Sequence, residues 1–194
     1  MPLIIHKKIN MKKLLIFLLL IFTSSKSFGA DYTASFDQKI YNLALVNEDE
    51  IYSINEYIPP DQELKSWNKM IALYRYHNQK NVSPQEFANN LGLLAKQINP
   101  EANFEVIVNN AKNEAIIDLF TWTNEPSLIR EFIIFKFKND PATGELIGYQ
   151  YAFRGYGKLT DEYTNELKNN RIRLRSLMLT AEFPKFVKKT EFKN

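Results

Sequence analysis

The sequence contains no cysteine, and this absence excludes several classes of protein. Without thiols the chain has no disulfide, no cysteine nucleophile and no zinc site of the cysteine type. A lipoprotein anchored through a lipidated cysteine is excluded as well. Stability must therefore come from a hydrophobic core, and a chain of about 165 residues beyond a leader is long enough to build one.

Histidine is almost as scarce, since only His6 and His77 occur and His6 lies near the start of the chain. A serine–histidine pair is therefore open only to a serine that folds close to His77. The sequence after His77 (NQK) predicts a turn, so a solvated turn histidine is the simpler interpretation and a catalytic one the alternative.

The usual nucleotide and hydrolase motifs are missing too. No P-loop, GxGxxG or GxSxG pattern occurs in the sequence. The acidic stretch NEDE at 47–50 lacks the spacing of a calcium loop and is interpreted as a solvated turn. We therefore predict no metal site and no cofactor.

The first 29 residues have the pattern of a secretory signal peptide. Lys12 and Lys13 precede an apolar run of nine residues, Leu14–Phe22, and TSSKSFG follows it. Nine residues are too few to cross a bilayer, which needs about 20. We predict cleavage after Gly29 and an exported domain, residues 30–194, that is periplasmic or extracellular and keeps no transmembrane segment. An uncleaved anchor is the alternative.

The net positive charge belongs to this leader. It holds five of the 25 basic residues and none of the 22 acidic ones, so the exported domain would carry 20 basic and 22 acidic residues, a net charge of −2. Nucleic-acid binding draws its affinity from clustered Lys and Arg. The composition therefore argues against a nucleic-acid partner.

Hydrophobic periodicity predicts seven strands and two helices in the order β-β-β-α-β-β-β-β-α. The strands are expected within residues 32–44, 51–58, 67–76, 104–108, 115–123, 131–138 and 146–156. The capping box SPQE at 83–86 begins the first helix, and Thr160 caps a second that runs to about Thr180. The fold class is α+β: a single antiparallel sheet of about six to seven strands, covered by two amphipathic helices in an αβα-type sandwich.

This order resembles the PsbP-like fold, the family of the extrinsic photosystem subunit and its bacterial secreted relatives. The resemblance runs through IYSINEYIPP, WNKMIALYRY, the helix after SPQE, DLFTWT, EFIIFKFK, GYQYAFRG and the closing helix. It implies a secreted single-domain module that acts through partner surfaces, and it transfers no functional residue. A cystatin-like or nuclear-transport-factor-like curved sheet is the competing architecture.

Asp118 is the candidate catalytic acid. It lies in an apolar strand between Ile116 and Phe120, where burial disfavours a charge unless a cation pairs with it. Glu114, Glu56 and Arg154 are conceivable neighbours in the fold. A structural ion pair is the simpler interpretation of this aspartate.

Four basic residues are candidate binding residues. Lys168, Arg171 and Arg175 follow i, i+3, i+7 spacing and would project from one helix face toward an acidic partner, or simply form a solvated face. Arg154 begins RGYG, the first four positions of an RNA-recognition consensus, but KLTD follows instead of the aromatic second half. We interpret RGYG as the glycine-rich end of a strand, with Arg154 on the face opposite Tyr149, Tyr151 and Phe153.

These observations favour a secreted bacterial, non-enzymatic module that binds a protein partner. One alternative is an acid-dependent hydrolase of envelope polymers that uses Asp118 and a second carboxylate. The other is a small-ligand carrier, in which the aromatic sheet face and a helix form a pocket.

Overall fold

The computed structural model describes residues 32–123, 128–157 and 160–192, which form one antiparallel sheet with two α-helices. The strands are β1 (Thr33–Phe36), β2 (Lys39–Glu48), β3 (Tyr52–Ile58), β4 (Lys69–Lys80), β5 (Asn103–Asn109), β6 (Glu114–Trp122), β7 (Ile129–Asn139) and β8 (Glu145–Tyr156); the helices are α1 (Pro84–Ile98) and α2 (Asp161–Thr180). The α+β class is confirmed. The predicted signal peptide, residues 1–29, lies outside the described residues.

The sheet has eight strands, so the predicted count of six to seven is wrong. The stretch 32–44, interpreted as one strand, contains a hairpin whose turn is Asp37-Gln38. Both turn residues have positive φ, 52° and 58°, as a two-residue type I′ turn requires. Neither is the glycine or asparagine that marks such turns in a sequence, which is why this turn was missed.

The strand order is β1-β2-β3-β4-β8-β7-β6-β5. Each half of the sheet is a meander of four strands consecutive in sequence, and β4 pairs with β8 at the centre. The central position of β4, predicted from its apolar residues on both faces, is confirmed. Because β4 runs to Lys80, His77 lies within a strand and not in the turn that the sequence predicts.

The two faces of the sheet carry separate cores, and each helix covers one of them. Face A carries alternating side chains such as Ile117, Ile133 and Phe135, and it packs against α1. Face B carries Ile134, Tyr149 and others, and it packs against α2 and the segment that follows α2. The helices therefore lie on opposite sides of the sheet, in agreement with the predicted sandwich.

Both helices begin at the predicted caps. The Ser83 hydroxyl accepts a hydrogen bond from the Glu86 amide at 3.2 Å, and Thr160 accepts one from the Tyr163 amide at 3.1 Å. The apolar residues Phe87, Leu91 and Leu94 on one side of α1 are buried, whereas Ile98 at its end is exposed. None of the helices in the described part of the chain is long and apolar enough to span a membrane.

Candidate functional site

A groove with a volume of about 880 Å³ opens at one end of the sheet, beside the first turns of α2. The β1–β2 hairpin, the loop after β3, the start of β4, the end of β8 and residues of α2 form its walls. RGYG contributes Arg154, Gly155 and Tyr156, so the stretch interpreted as a strand end also lines this groove.

The side of the groove next to α2 is held by one ion pair and one aromatic stack. Lys69 Nζ lies 2.5 Å from Glu166 Oε1, which ties β4 to α2. The rings of Phe153 and Tyr163 stack with their centroids 4.6 Å apart. A Cβ atom at Gly155 would lie 2.7 Å from Cδ2 of Tyr163, so glycine is needed there for the close approach of this ring. Gly155 therefore has a packing role and is more than the flexible strand exit that the sequence suggests.

The opposite wall is a hydrogen-bonded network around Arg154. Its guanidinium lies 3.8 Å from the centroid of the Trp67 ring, and its backbone amide donates to the Asn68 carbonyl oxygen at 2.8 Å. The Gln62 side chain accepts from the Asn68 amide at 2.8 Å. The Tyr156 hydroxyl donates to the Trp67 carbonyl oxygen at 2.9 Å. These contacts hold the groove in one shape.

Two large apolar side chains remain open to solvent in this groove. Ile40, from β2, is 61% exposed and Tyr156, from β8, is 41% exposed. Charged residues of both signs surround them, and three of these are exposed: Lys39, Asp61 and Glu162. Exposed apolar groups within a polar rim are typical of protein interaction sites.

Buried charges surround the Arg154 side chain on face A. Arg154 contacts Glu131 Oε1 through Nε at 2.8 Å and through a terminal nitrogen at 2.6 Å. Burial raises the pKa of Glu131, and the positive charge of Arg154 opposes this effect. Burial also raises the pKa of Glu56 to about 7; Arg154 lowers it and Glu131 raises it further. The partner of Arg154, which the sequence left open, is therefore Glu131.

The structure brings three predicted site residues together on face B, away from Arg154. Asp118 is fully buried, and both its carboxylate oxygens accept from Arg171 Nε, at 3.2 and 2.9 Å. Arg175 lies 3.6 Å from Asp118 and 2.5 Å from Glu105 on the neighbouring strand. Asp118, Arg171 and Arg175 thus form an ion-pair cluster between the sheet and α2.

The other predicted neighbours of Asp118 lie elsewhere. Glu114 pairs with Lys136 at 3.2 Å, Arg154 contacts Glu131, and Glu56 belongs to face A. Lys168 is exposed, and none of the ion pairs found among the described residues includes it. The stripe of three cations is therefore divided, with two members directed at the sheet and one at solvent.

Sequence reasoning missed Ile40, because its place in the groove depends on the unpredicted β1–β2 hairpin. The available signal was the polar pair Asp37-Gln38 between two stretches of alternating residues. Within the described residues, no group of three or more histidine, aspartate or glutamate side chains could hold a metal ion.

A protein-family model matches residues 28–183. The chain belongs to this family. No activity, ligand or partner comes with the match. No curated protein and no solved structure matches the chain. The resemblance to the PsbP-like fold therefore stays a prediction.

Proposed function

We propose that this protein is an exported module whose groove beside α2 binds a protein partner without catalysing a reaction on it. The observation that carries the proposal is the pair of exposed apolar side chains, Ile40 and Tyr156, in a groove of about 880 Å³. Export is proposed on the leader pattern of residues 1–29 alone.

The residues that line the groove indicate which side chains a partner would place in it. Ile40 and Tyr156 come from β2 and β8, which are separated by β3 and β4, so the apolar contacts are spread across the groove. A partner segment would place apolar side chains on them and charged groups beside Lys39, Asp61 and Glu162. Exposed aromatic side chains are enriched among residues that dominate binding energy, which favours Tyr156 as the anchor.

The test compares two exposed isoleucines. Ile40→Asp places a charge in the groove, and Ile172→Asp places the same charge on α2, where Ile172 is 76% exposed and does not line the groove. The tagged protein and both variants are used to capture envelope and culture-fluid proteins, which are quantified by mass spectrometry. The candidate partner is then purified and titrated against all three.

We expect Ile40→Asp to weaken binding of the purified partner at least 10-fold, because a buried charge without a counter-charge opposes association. We expect Ile172→Asp to bind within about 2-fold of the unmodified protein, because it is outside the contact. Equal binding by Ile40→Asp would reject the groove as the interface. Capture of no protein that can be purified and shown to bind would reject the function.

A small-ligand carrier is the second candidate, and the groove volume favours it. Small-molecule sites occupy roughly 300–1,000 Å³ and are lined by aromatic side chains, as here by Phe153, Tyr156 and Tyr163. Native mass spectrometry of protein purified from its own host would show a bound small molecule if this function holds. Tyr156→Ala should then lose the molecule, whereas Ile172→Asp should keep it.

The acid-dependent hydrolase receives no support from the geometry. The candidate carboxylate, Asp118, is fully buried beneath α2, and Arg171 occupies both of its oxygens. This arrangement supports a structural ion pair, the simpler interpretation of the sequence.

A further inference from the structure

A serine, a histidine and a glutamate form a linear array at the end of the sheet opposite the groove. Ser53 Oγ lies 2.8 Å from His77 Nε2, and His77 Nδ1 lies 3.5 Å from Glu145 Oε1. The residues come from β3, β4 and β8, which are adjacent in the sheet. A hydroxyl on one imidazole nitrogen and a carboxylate on the other is the arrangement that activates a serine nucleophile.

The surroundings of Glu145 hold its carboxylate in the charged form. Arg75 lies 3.1 Å from Glu145 Oε2 and 2.7 Å from Asp140. Burial acts to raise the pKa of Glu145, but the hydrogen bond and charge of Arg75, with a smaller contribution from His77, lower it overall. An ionised Glu145 favours the tautomer with the proton on Nδ1, which leaves Nε2 free to accept from Ser53.

The array is partly shielded from water. Ser53 is 3% exposed, whereas the His77 side chain is 26% exposed, so the histidine is the more accessible of the two. The segment after α2 covers the next part of the same face: the Asn55 side chain exchanges hydrogen bonds of 2.9 and 2.8 Å with Val187, and the Phe186 ring lies 5.8 Å from the Arg75 guanidinium.

We propose that Ser53 is an activated nucleophile that accepts the acyl group of a small carboxylic ester, with His77 as its general base and Glu145 as the residue that positions His77. The small acyl group follows from the low exposure of Ser53, because a bulky one could not approach the hydroxyl. This activity is independent of the groove, which contains none of the three residues.

The reaction conserves atoms and charge in two steps. Ser53 Oγ attacks the ester carbonyl carbon while its proton moves to His77 Nε2, and collapse of the tetrahedral intermediate expels the alkoxide, which takes that proton from His77 and leaves as an alcohol. Water then attacks acyl-Ser53 with His77 again as base, and the products are the carboxylic acid and the free serine.

The test uses methanesulfonyl fluoride, a small reagent that sulfonylates activated serines with loss of fluoride. The full-length purified protein is incubated with the reagent, the mass increase is followed on the intact chain, and the modified residue is located by peptide mapping. Ser53→Ala is compared with Ser176→Ala as a control. In the unmodified protein the Ser176 hydroxyl is exposed and donates to the Ile172 carbonyl oxygen.

We expect one adduct, on Ser53, that is absent from Ser53→Ala and forms at an unchanged rate in Ser176→Ala. His77→Gln should slow labelling at least about 100-fold, the usual loss when a general base is removed. An unlabelled wild-type protein would overturn the proposal whatever the variants do. Labelling of Ser53→Ala at the wild-type rate, or of a residue other than Ser53, would overturn it as well.

A second pair of variants separates positioning from stability. Glu145→Gln and Asp140→Asn each remove one carboxylate from Arg75, but only Glu145 contacts His77. We expect Glu145→Gln to slow labelling at least 10-fold more than Asp140→Asn does, with both proteins folded by circular dichroism. Equal rates in the two variants would overturn the role of Glu145. Hydrolysis of p-nitrophenyl acetate by the same set of variants should follow the labelling rates.

Discussion

At the scale of single residues, face A holds two carboxylates for one nearby arginine. Arg154 forms short contacts with Glu131. On the pKa of Glu56, both Arg154 and Glu131 act through their charges. Both glutamates are buried, and burial without full neutralisation favours the protonated form. With its pKa raised to about 7, Glu56 is therefore partly protonated in the folded state near neutral pH.

The pKa of Glu56, raised from 4.5 to about 7, predicts that stability falls as the pH rises. Below pH 4.5 the residue is protonated in both states and has no effect. Between about pH 4.5 and 7 only the unfolded chain loses the proton, so the free energy of unfolding falls across this range. Above pH 7 the total loss is about 3 kcal/mol. Glu131 acts in the same direction, whereas Asp37, Asp140 and Glu145, with lowered pKa values, act mainly below pH 4.5.

Urea unfolding at several pH values between 5 and 8 measures this effect. Glu56→Gln should flatten the decline in the free energy of unfolding, because the amide does not titrate. The exposed Glu63→Gln should leave the decline unchanged. A free energy of unfolding that increases with pH in this range would contradict the assignment.

The face of a residue could be predicted from the sequence, but its partner could not. Alternation along β8 correctly placed Arg154 opposite Tyr149, Tyr151 and Phe153, since successive side chains of a strand point to opposite faces. Its pairing with Glu131 depends on the register of β7 against β8, in which these two residues are directly opposite. Register is set by the whole hairpin and cannot be derived from the residues around Arg154.

At the scale of elements, α2 is attached to the sheet by ion pairs as well as by apolar burial. Only Tyr163, Leu174 and Met178 are buried among the residues of α2 whose burial is described. Four of its charged residues contact the sheet or the β1–β2 hairpin: Glu166 with Lys69, Arg171 with Asp118, Arg173 with Asp37, and Arg175 with Glu105. These contacts fix the helix over face B.

Removal of the Arg171 charge should lower the free energy of unfolding far more than removal of the nearby Lys168 charge. Arg171→Met leaves the buried Asp118 with only the longer contact to Arg175. We expect the free energy of unfolding to fall by about 1–3 kcal/mol. This is less than for a fully buried pair, because Arg171 is partly exposed. Lys168→Met should change the free energy of unfolding by less than about 0.5 kcal/mol, since Lys168 is exposed.

Chemical denaturation of the two single variants and of Arg171→Met with Asp118→Leu checks this prediction. The double variant should recover part of the loss, because the buried charge is gone. If Lys168→Met were the more damaging variant, the division of the stripe between sheet and solvent would be wrong.

Helix boundaries were predictable, because caps are local. SPQE and Thr160 mark both helix starts through side-chain hydrogen bonds made within three residues. The β1–β2 turn was not predictable by the same means, because the usual sequence signal for such a turn is Asn-Gly or Asp-Gly and Gln38 stands where the glycine would be. Arg173 contacts Asp37 from α2, a long-range support for this turn that local sequence does not reveal.

At the scale of the whole molecule, the β4–β8 pairing unites two meanders. Residues 33–80 form one half of the sheet and residues 103–156 form the other, and the strands within each half are neighbours in sequence. The central pair is the long-range connection between them, and Ile71 on β4 and Ala152 on β8 are completely buried. The sequence predicted six of the eight strands and the central place of β4, but not its neighbour β8, because pairing across such a separation depends on the packing of both halves.

This arrangement predicts a gradient of backbone protection across the sheet. Amides of β4 and β8 bond to neighbours on both sides and should exchange with deuterium only through global unfolding, whereas those of the edge strand β1 should exchange earlier through local opening. Hydrogen exchange followed by mass spectrometry measures both. Earlier exchange of β8 than of β1 would show that the centre of the sheet opens independently.

The central pairing also has a consequence for how the chain reaches its fold. Synthesis proceeds from the amino terminus, so the first meander is complete before β8, which begins at Glu145, has been made. If the first meander folds in that interval, β4 is its edge strand, and the unpaired backbone groups of β4 are open to pairing with another chain. A chain in which only the first meander has folded would therefore be more prone to aggregation than the finished fold.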